Sequence, residues 1–162
     1  MPDTKNYQPL AKAKSAGLRA ARWTQGFWAE RFELCHKTMI ASMKEALNDP
    51  GNAALIANFR VAARIEQAED LPGKGRHRGV NWSDGDVYKW METMSRVYAL
   101  TGDEALDREL DATIDLVARA QAEDGYINTQ TQLNPNKPRW GQREYHELYN
   151  MGHLMTSACV HY

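Results

Sequence analysis

The chain has 162 residues, of which 43% are hydrophobic and 25% are charged, a composition typical of one globular domain. Its 20 basic and 21 acidic side chains give a formal net charge of −1, so no broad surface for nucleic acid or an anionic membrane is indicated. The sequence contains no long apolar run and no signal-peptide pattern, and we expect a cytoplasmic protein. Its two cysteines, Cys35 and Cys159, predict neither a disulfide framework nor a zinc pattern.

The N-terminal third of the chain contains one predicted helix. Residues 1–22 lack a hydrophobic period, so we expect an N-terminal arm there and a helical domain over 23–162. In the first helix, apolar residues recur every three or four positions and share one face, which we expect to pack in the core. They are Trp28, Phe32, Cys35, Met39, Met43 and Leu47. The sequence NDPG ends this helix, because proline and glycine disfavour its continuation.

The second and third predicted helices form a pair. The second spans 87–98 and ends at Gly102, and we expect Asp84 or Asp86 to cap its first turn. The third begins after Asp103, which is suited to be its N-cap. Only the sequence TGD separates the two helices, so they are predicted to lie adjacent and antiparallel.

A fourth helix is predicted from near Glu144 to Tyr162. Its apolar side chains share one face, which we also expect to pack in the core. They are Leu148, Met151, Leu154, Met155, Ala158, Cys159 and Tyr162. This face is wide and reaches the last residue without a C-cap glycine. We therefore expect the chain to be a truncated part of a larger helical domain, and its apolar faces to permit self-association.

The two remaining connections, 49–84 and 123–144, are predicted to be long and irregular. Both lead into the start of a helix, so they should lie at the same end of the helices, where a functional site is expected. Trp82 and Asp86 fit two interpretations equally well. In the first, Trp82 is a hydrophobic anchor and Asp86 a helix cap; in the second, both lie at the mouth of a carbohydrate cavity. In the second case, the indole covers the apolar face of a sugar and the carboxylate accepts its hydroxyl hydrogens. Trp90 is expected to be a core residue.

The segment HELYNMGH suggests a zinc site but does not have the required spacing. His146 and His153 are seven residues apart, about 10.5 Å along a helix, whereas the metalloprotease pattern needs histidines one turn apart. His146 instead begins a polar face of the fourth helix with Tyr149, Asn150, His153 and Ser157. Such a face is either solvated or lines an internal cavity, and the residues themselves leave both interpretations open.

Five segments, taken in this order, resemble glycoside hydrolase family 127, the β-L-arabinofuranosidase family. They are GFWAERFEL (26–34), NFRVAA (58–63), SDGDVYKWMET (83–93), IDLVARAQAEDGYINT (114–129) and RWGQREYHELYNMGHLMTSACVHY (139–162). The resemblance covers about 23–162 and corresponds to the N-terminal part of the family's catalytic domain. It implies an all-α fold, an incomplete (α/α)6 barrel in which the second and fourth helices are inner and the first and third are outer.

The resemblance also implies which residues form the sugar-binding site. Relatives carry a histidine of the sugar pocket at the HELY position, which implies that His146 contacts a sugar hydroxyl. Asp86 and Trp82 are implied as substrate-binding residues by their location in a matching segment. Many relatives have a cysteine where this chain has Asn150, and no role is implied for His153.

The family's catalytic apparatus is a zinc-bound cysteine nucleophile, further cysteine and glutamate ligands, and a glutamate acid/base. In the resemblance, all of it lies beyond the position of Tyr162, so we expect no catalytic residue and no metal ligand here. Zinc is expected only in the full-length domain, and the expected partner is an arabinofuranosyl glycan.

Three functions remain open from the sequence. The first is an N-terminal fragment of a β-L-arabinofuranosidase-like glycosidase that is inactive alone. The second is a stand-alone helical module that binds a sugar or a protein. The third is another (α/α)6 sugar-active enzyme, such as an epimerase or an unsaturated glucuronyl hydrolase.

Overall fold

The structure is a computed structural model that describes residues 16–52, 54–65 and 77–162. Within these ranges the secondary structure is helical and contains no strand, which confirms the predicted all-α class. Most of the expected N-terminal arm lies outside the described residues, but Arg19 contacts the helical domain by donating from Nε to the Ala99 carbonyl at 2.9 Å. None of the helices described here combines the length and apolar character needed to cross a lipid bilayer.

Seven α-helices are described, joined by shorter helical turns. They are α1 (Phe27–Leu34), α2 (Ile40–Asn48), α3 (Leu55–Ala62), α4 (Ser83–Thr101), α5 (Glu104–Ala120), α6 (Thr129–Gln132) and α7 (Glu147–His161). A π-helical turn, Cys35–Met39, separates α1 from α2, and 3-10 turns occupy Leu18–Ala20 and Arg143–Tyr145. The two connections predicted to be irregular contain α3 and α6, respectively. The prediction is therefore wrong for the first connection, which holds a helix of eight residues, whereas α6 in the second has only four.

The first predicted helix packs in the core over only part of the expected face. Phe32 and Cys35 pack against the core and Leu47 is buried, as expected. Trp28, Met39 and Met43 are exposed, which contradicts the prediction, and Ile40 is buried instead. The π turn before α2 contains one more residue than an α-helical turn, so the following side chains are rotated relative to a continuous helix. Ile40 consequently faces α4, where the Trp90 indole Nε1 donates to its carbonyl at 3.1 Å.

Helix α4 is at the centre of the core. Its buried apolar side chains pack with those of α3 and α5, among them Phe59, Val87, Trp90, Met94 and Leu110. Trp90 is thus confirmed as a core residue. These contacts, together with the short link between α4 and α5, confirm that the two helices are neighbours.

The two predicted caps have different outcomes. Asp103 is the N-cap of α5, as expected, and its side chain accepts from the Ala105 amide at 2.9 Å. The cap predicted for α4 is wrong, because the N-cap position is Trp82, whose side chain makes no capping hydrogen bond. Asp84 and Asp86 lie inside the first turn of α4 instead.

Helix α7 packs on α4 mainly through its polar face. The Asn150 side chain accepts from the Gly85 amide at 3.0 Å and donates to the Asn81 carbonyl at 2.9 Å, and both Asn150 and Ser157 are buried. The prediction that the apolar face of α7 packs in the core is wrong for Leu148 and Met155, which are 75% and 68% exposed. The Asn150 hydrogen bonds to backbone groups require this orientation, because they turn the opposite side of the helix outwards.

Candidate functional site

The two long connections meet at one end of the helices, as predicted. Asn81, just before α4, is the central contact: its side-chain oxygen accepts from the Gln130 amide, and its Nδ2 donates to the Glu144 carbonyl. Lys137 Nζ donates to the same Asn81 oxygen at 3.4 Å. The Asn81 side chain therefore joins the end of the first connection to three residues of the second, and its backbone carbonyl accepts from Asn150 of α7.

A second link joins the connections through a buried carboxyl group. Asp84 accepts from the Thr129 amide at 2.7 Å and from the Thr129 hydroxyl at 2.5 Å. Burial raises the pKa of Asp84 to about 6, even though both hydrogen bonds from Thr129 act in the opposite direction. Asp84 thus fixes the second connection to the first turn of α4.

Four rings form a continuous row at this end of the molecule, here called the aromatic row: Trp82, His146, Tyr149 and His153. Successive ring centroids are 5.2, 5.8 and 4.6 Å apart, and all three pairs meet edge to face. Trp82 and His146, which are 64 positions apart in the sequence, are neighbours in the structure. Two of the three predicted site residues therefore lie together.

The His146 imidazole is held in one orientation. Its Nδ1 lies 2.7 Å from the Glu144 carbonyl, which can only accept, so the neutral ring carries its proton on Nδ1. Nε2 then remains as an acceptor and has no hydrogen-bond partner among the described residues. The backbone φ of His146 is 56°, a left-handed conformation that costs an L-residue about 1–2 kcal/mol.

Asp86, the third predicted site residue, lies beside the aromatic row without contacting His146. Its carboxylate forms an ion pair with Lys89 at 3.0 Å, and Lys89 Nζ lies 5.4 Å from the centroid of the Tyr149 ring. Asp86 lines a separate cavity of about 520 Å³ between α2 and α4, together with Met43. Its connection to the row therefore passes through Lys89.

His146 lines an open cavity of about 510 Å³, a volume in the range of small-molecule sites. The other residues that line it are Trp140, Gln142, Arg143, Glu144, Glu147, Leu148 and Tyr149. Hydrogen-bonding groups and aromatic rings are thus exposed in one concave surface. We call this surface the His146 cavity.

Glu147 is a site residue that the sequence interpretation missed. Its side chain is 5% exposed, accepts from the Tyr126 hydroxyl, and accepts from the Trp140 amide at 2.9 and 3.2 Å. Burial raises the pKa of Tyr126, and the hydrogen bond to Glu147 raises it further. No sequence signal distinguishes a buried glutamate in the first turn of a helix from a solvated one that favours the positive helix end.

Side chains that could bind a metal ion do not cluster among the described residues. Across 16–52, 54–65 and 77–162, no three side chains of His, Cys, Asp or Glu come together in an arrangement that fits a metal ion. Burial raises the pKa of Cys35, which disfavours the thiolate that binds metals.

Comparison with known proteins identifies the family. A sequence model of the β-L-arabinofuranosidase GH127 catalytic domain matches residues 20–162. The chain belongs to glycoside hydrolase family 127. Its sequence is 30% identical over 154 residues to the non-reducing end β-L-arabinofuranosidase of Bifidobacterium longum subsp. longum, covering 86% of this chain and 23% of that protein.

Two solved GH127 structures have the same fold over most of this chain. One is Ara127N-Se, a β-L-arabinofuranosidase from Geobacillus stearothermophilus T6, with a TM-score of 0.75, 33% identity, and coverage of 84% of this chain and 21% of that one. The other is the β-arabinofuranosidase BT3674, with a TM-score of 0.75, 28% identity, and coverage of 90% and 23%. The chain thus spans less than a quarter of the length of these GH127 relatives.

Proposed function

We propose that this chain forms the N-terminal arc of an (α/α)6 catalytic domain, with α4 and α7 as inner helices and α1, α2 and α5 as outer ones. Membership of GH127 supports this arrangement, as does the direct packing of α4 on α7. Both helices begin at the end where the two connections meet, because the first turn of α4 contacts the first turn of α7 through Gly85 and Asn150. The inner wall of such a domain would then carry the His146 cavity.

The function proposed for this arc is to bind a terminal L-arabinofuranosyl residue of a glycan. The His146 cavity carries the proposal, because His146, whose Nδ1 is bound to the Glu144 carbonyl, lines it beside the Tyr149 ring. Trp82 contacts the His146 ring edge to face but lines a separate cavity of about 820 Å³, so it supports the imidazole from outside the His146 cavity. Nε2 is suited to accept from a sugar hydroxyl, and the Tyr149 ring, which also lines the cavity, provides apolar contact for the sugar carbons. The family relatives that act on arabinofuranosides support the choice of sugar.

Hydrolysis is not part of the function proposed for this chain alone. A retaining glycosidase needs a nucleophile and an acid/base on either side of the scissile bond. Of the two glutamates in the His146 cavity, Glu147 is already bound to Tyr126 and Trp140. From the family resemblance we expect the catalytic pair beyond the position of Tyr162.

Binding of methyl β-L-arabinofuranoside to the purified chain, followed by NMR titration, tests this proposal. We expect weak, saturable binding that His146→Ala reduces about fivefold to tenfold, as the loss of one hydrogen bond would do. His161→Ala is the matched control, because His161 is exposed at the other end of α7. Equal loss in both variants, or no binding by the parent chain, would contradict the proposal.

A hydrolysis assay tests the proposal that this chain alone does not cleave the glycoside. We expect no release of arabinose from an aryl β-L-arabinofuranoside incubated with this chain, with or without added zinc. Release above the rate without protein would show that the chain carries its own catalytic pair.

A further inference from the structure

Trp140 combines two unusual features. Its backbone φ is 59°, in the left-handed region that bulky L-residues rarely adopt, and its side chain is 58% exposed. A strained backbone that presents an exposed apolar ring is not explained by packing in the core. Such conformations persist where the surrounding structure enforces them, and they concentrate at binding sites.

Glu147 is the group that enforces this conformation. Both of its carboxylate oxygens lie within hydrogen-bond distance of the Trp140 amide, and one of them also accepts from Tyr126. The Tyr126 ring meets the Trp140 indole edge to face, with centroids 5.5 Å apart. The Trp140 backbone and side chain are thus contacted from two directions, and the buried carboxylate accepts hydrogen bonds from both Trp140 and Tyr126.

The segment fixed in this way directly precedes His146. Trp140 and His146 both have positive φ values and stand at either end of a short loop that contains the 3-10 turn Arg143–Tyr145. Both residues line the His146 cavity. The loop therefore presents an indole and an imidazole to the same concave surface.

We propose that Trp140 forms an apolar wall of the sugar site at His146, and that Glu147 is the positioning residue that holds this wall in place. The proposal rests on the function proposed above and extends it to a second contact. The indole covers the C–H face of the sugar ring, while His146 Nε2 accepts from a hydroxyl. The buried carboxylate acts through the Trp140 amide and does not touch the sugar.

Sugar affinity tests the role of Trp140. We expect Trp140→Ala to weaken binding of methyl β-L-arabinofuranoside at least fivefold, and Trp140→Phe to restore most of the loss, because it retains an aromatic ring. Trp28→Ala removes an exposed indole from α1 and is the matched control. Trp140→Leu keeps an apolar side chain and tests the need for a ring even if the alanine variant does not fold.

Amide hydrogen exchange, followed by NMR, tests the role of Glu147 without sugar. We expect the Trp140 amide to be protected in the parent chain and to exchange at least tenfold faster in Glu147→Ala, with α4 amides unchanged. Glu147→Gln retains one acceptor and should give an intermediate rate. Unchanged exchange of the Trp140 amide in Glu147→Ala would overturn the positioning role.

The outcomes separate the two proposals. Binding that is lost in His146→Ala but unchanged in Trp140→Ala and Trp140→Leu overturns this inference and leaves the proposed function standing. Absence of sugar binding by the parent chain overturns both the proposed function and the sugar contact of Trp140.

Discussion

At the scale of single residues, Asp84 shows how burial changes the chemistry of a side chain. The carboxyl group is buried in the first turn of α4, and its two hydrogen-bond donors both belong to Thr129. Burial also raises the pKa of the neighbouring Tyr88, and the charge of Asp84 adds to that effect. Asp84 therefore contributes to stability in a way that depends on pH.

The direction of this dependence follows from the pKa of Asp84, which is about 6 in the folded chain against an ordinary value of 3.8. Between these values the folded state binds more protons than the unfolded state, so the free energy of unfolding falls as the pH rises. A shift of about two pKa units corresponds to about 3 kcal/mol. We expect Asp84→Asn, which cannot ionise, to lack this contribution.

Chemical denaturation of both proteins from about pH 4 to about pH 7 measures the effect. The stability of the parent chain relative to Asp84→Asn should fall by about 2–2.5 kcal/mol over this window, since part of the full change lies below pH 4, and stay nearly constant above it. Asp86→Asn, which removes an exposed carboxylate from the same turn, is the matched control. A difference that is constant over the window, or that rises with pH, would contradict the prediction.

The site residues show what sequence can reveal at this scale. Trp82 and His146 were identified because each stands where a long connection enters a helix, and because the second matches a family motif. Glu147 and Asn150 were not identified, since a polar residue on an amphipathic helix is usually solvated. Each has a partner more than twenty positions away, Tyr126 for Glu147 and Asn81 for Asn150, and no local pattern encodes such pairs.

At the scale of elements, the contact between α4 and α7 depends on a missing side chain. A Cβ atom at Gly85 would lie 3.0 Å from Asn150 Oδ1 and 3.2 Å from Tyr149 Cε1. Asn150 cannot move away without breaking its hydrogen bonds to Gly85 and Asn81. A Cβ at Gly152 of α7, in contrast, would meet nothing within 4 Å.

These two glycines give a matched pair of substitutions. We expect Gly85→Ala to lower the free energy of unfolding by about 1–2 kcal/mol, because crowding at the interface exceeds the gain in helix propensity. Gly152→Ala should raise it by about 0.5–1 kcal/mol, because it gains that propensity without a clash. Urea denaturation of the two variants measures both changes, and stabilisation by Gly85→Ala would show that α7 does not approach α4 this closely.

The same interface explains why the orientation of α7 was not predicted. Periodicity shows which residues share a face, but it does not show which neighbour that face meets. The orientation of α7 is set instead by the close approach to Gly85 of α4 and by the two hydrogen bonds of Asn150. The π turn before α2 is a second example, because one additional residue per turn changes the buried face without leaving a clear mark in the sequence.

At the scale of the whole molecule, the exposed apolar side chains have a common location. Leu148 and Met155 lie seven positions, or two helical turns, apart on α7 and are both largely exposed. Isolated exposed apolar residues are ordinary, but an apolar ridge along a helix favours contact with another helix. In the proposed barrel this ridge would meet the next part of the domain, and in the isolated chain it is open to a second copy.

We therefore expect the purified chain to self-associate through this ridge at micromolar concentrations, with a fraction that rises with concentration in sedimentation experiments. The double variant Leu148→Glu/Met155→Glu should remain monomeric under the same conditions and should not melt at a lower temperature, because neither side chain contributes to the core. Arg108→Glu changes the net charge by the same two units at a site 72% exposed on α5, so it separates loss of the ridge from simple charge repulsion. If Arg108→Glu prevents association as well as the double variant does, or if the parent chain is monomeric throughout, the ridge on α7 is not the surface at which copies of the chain meet.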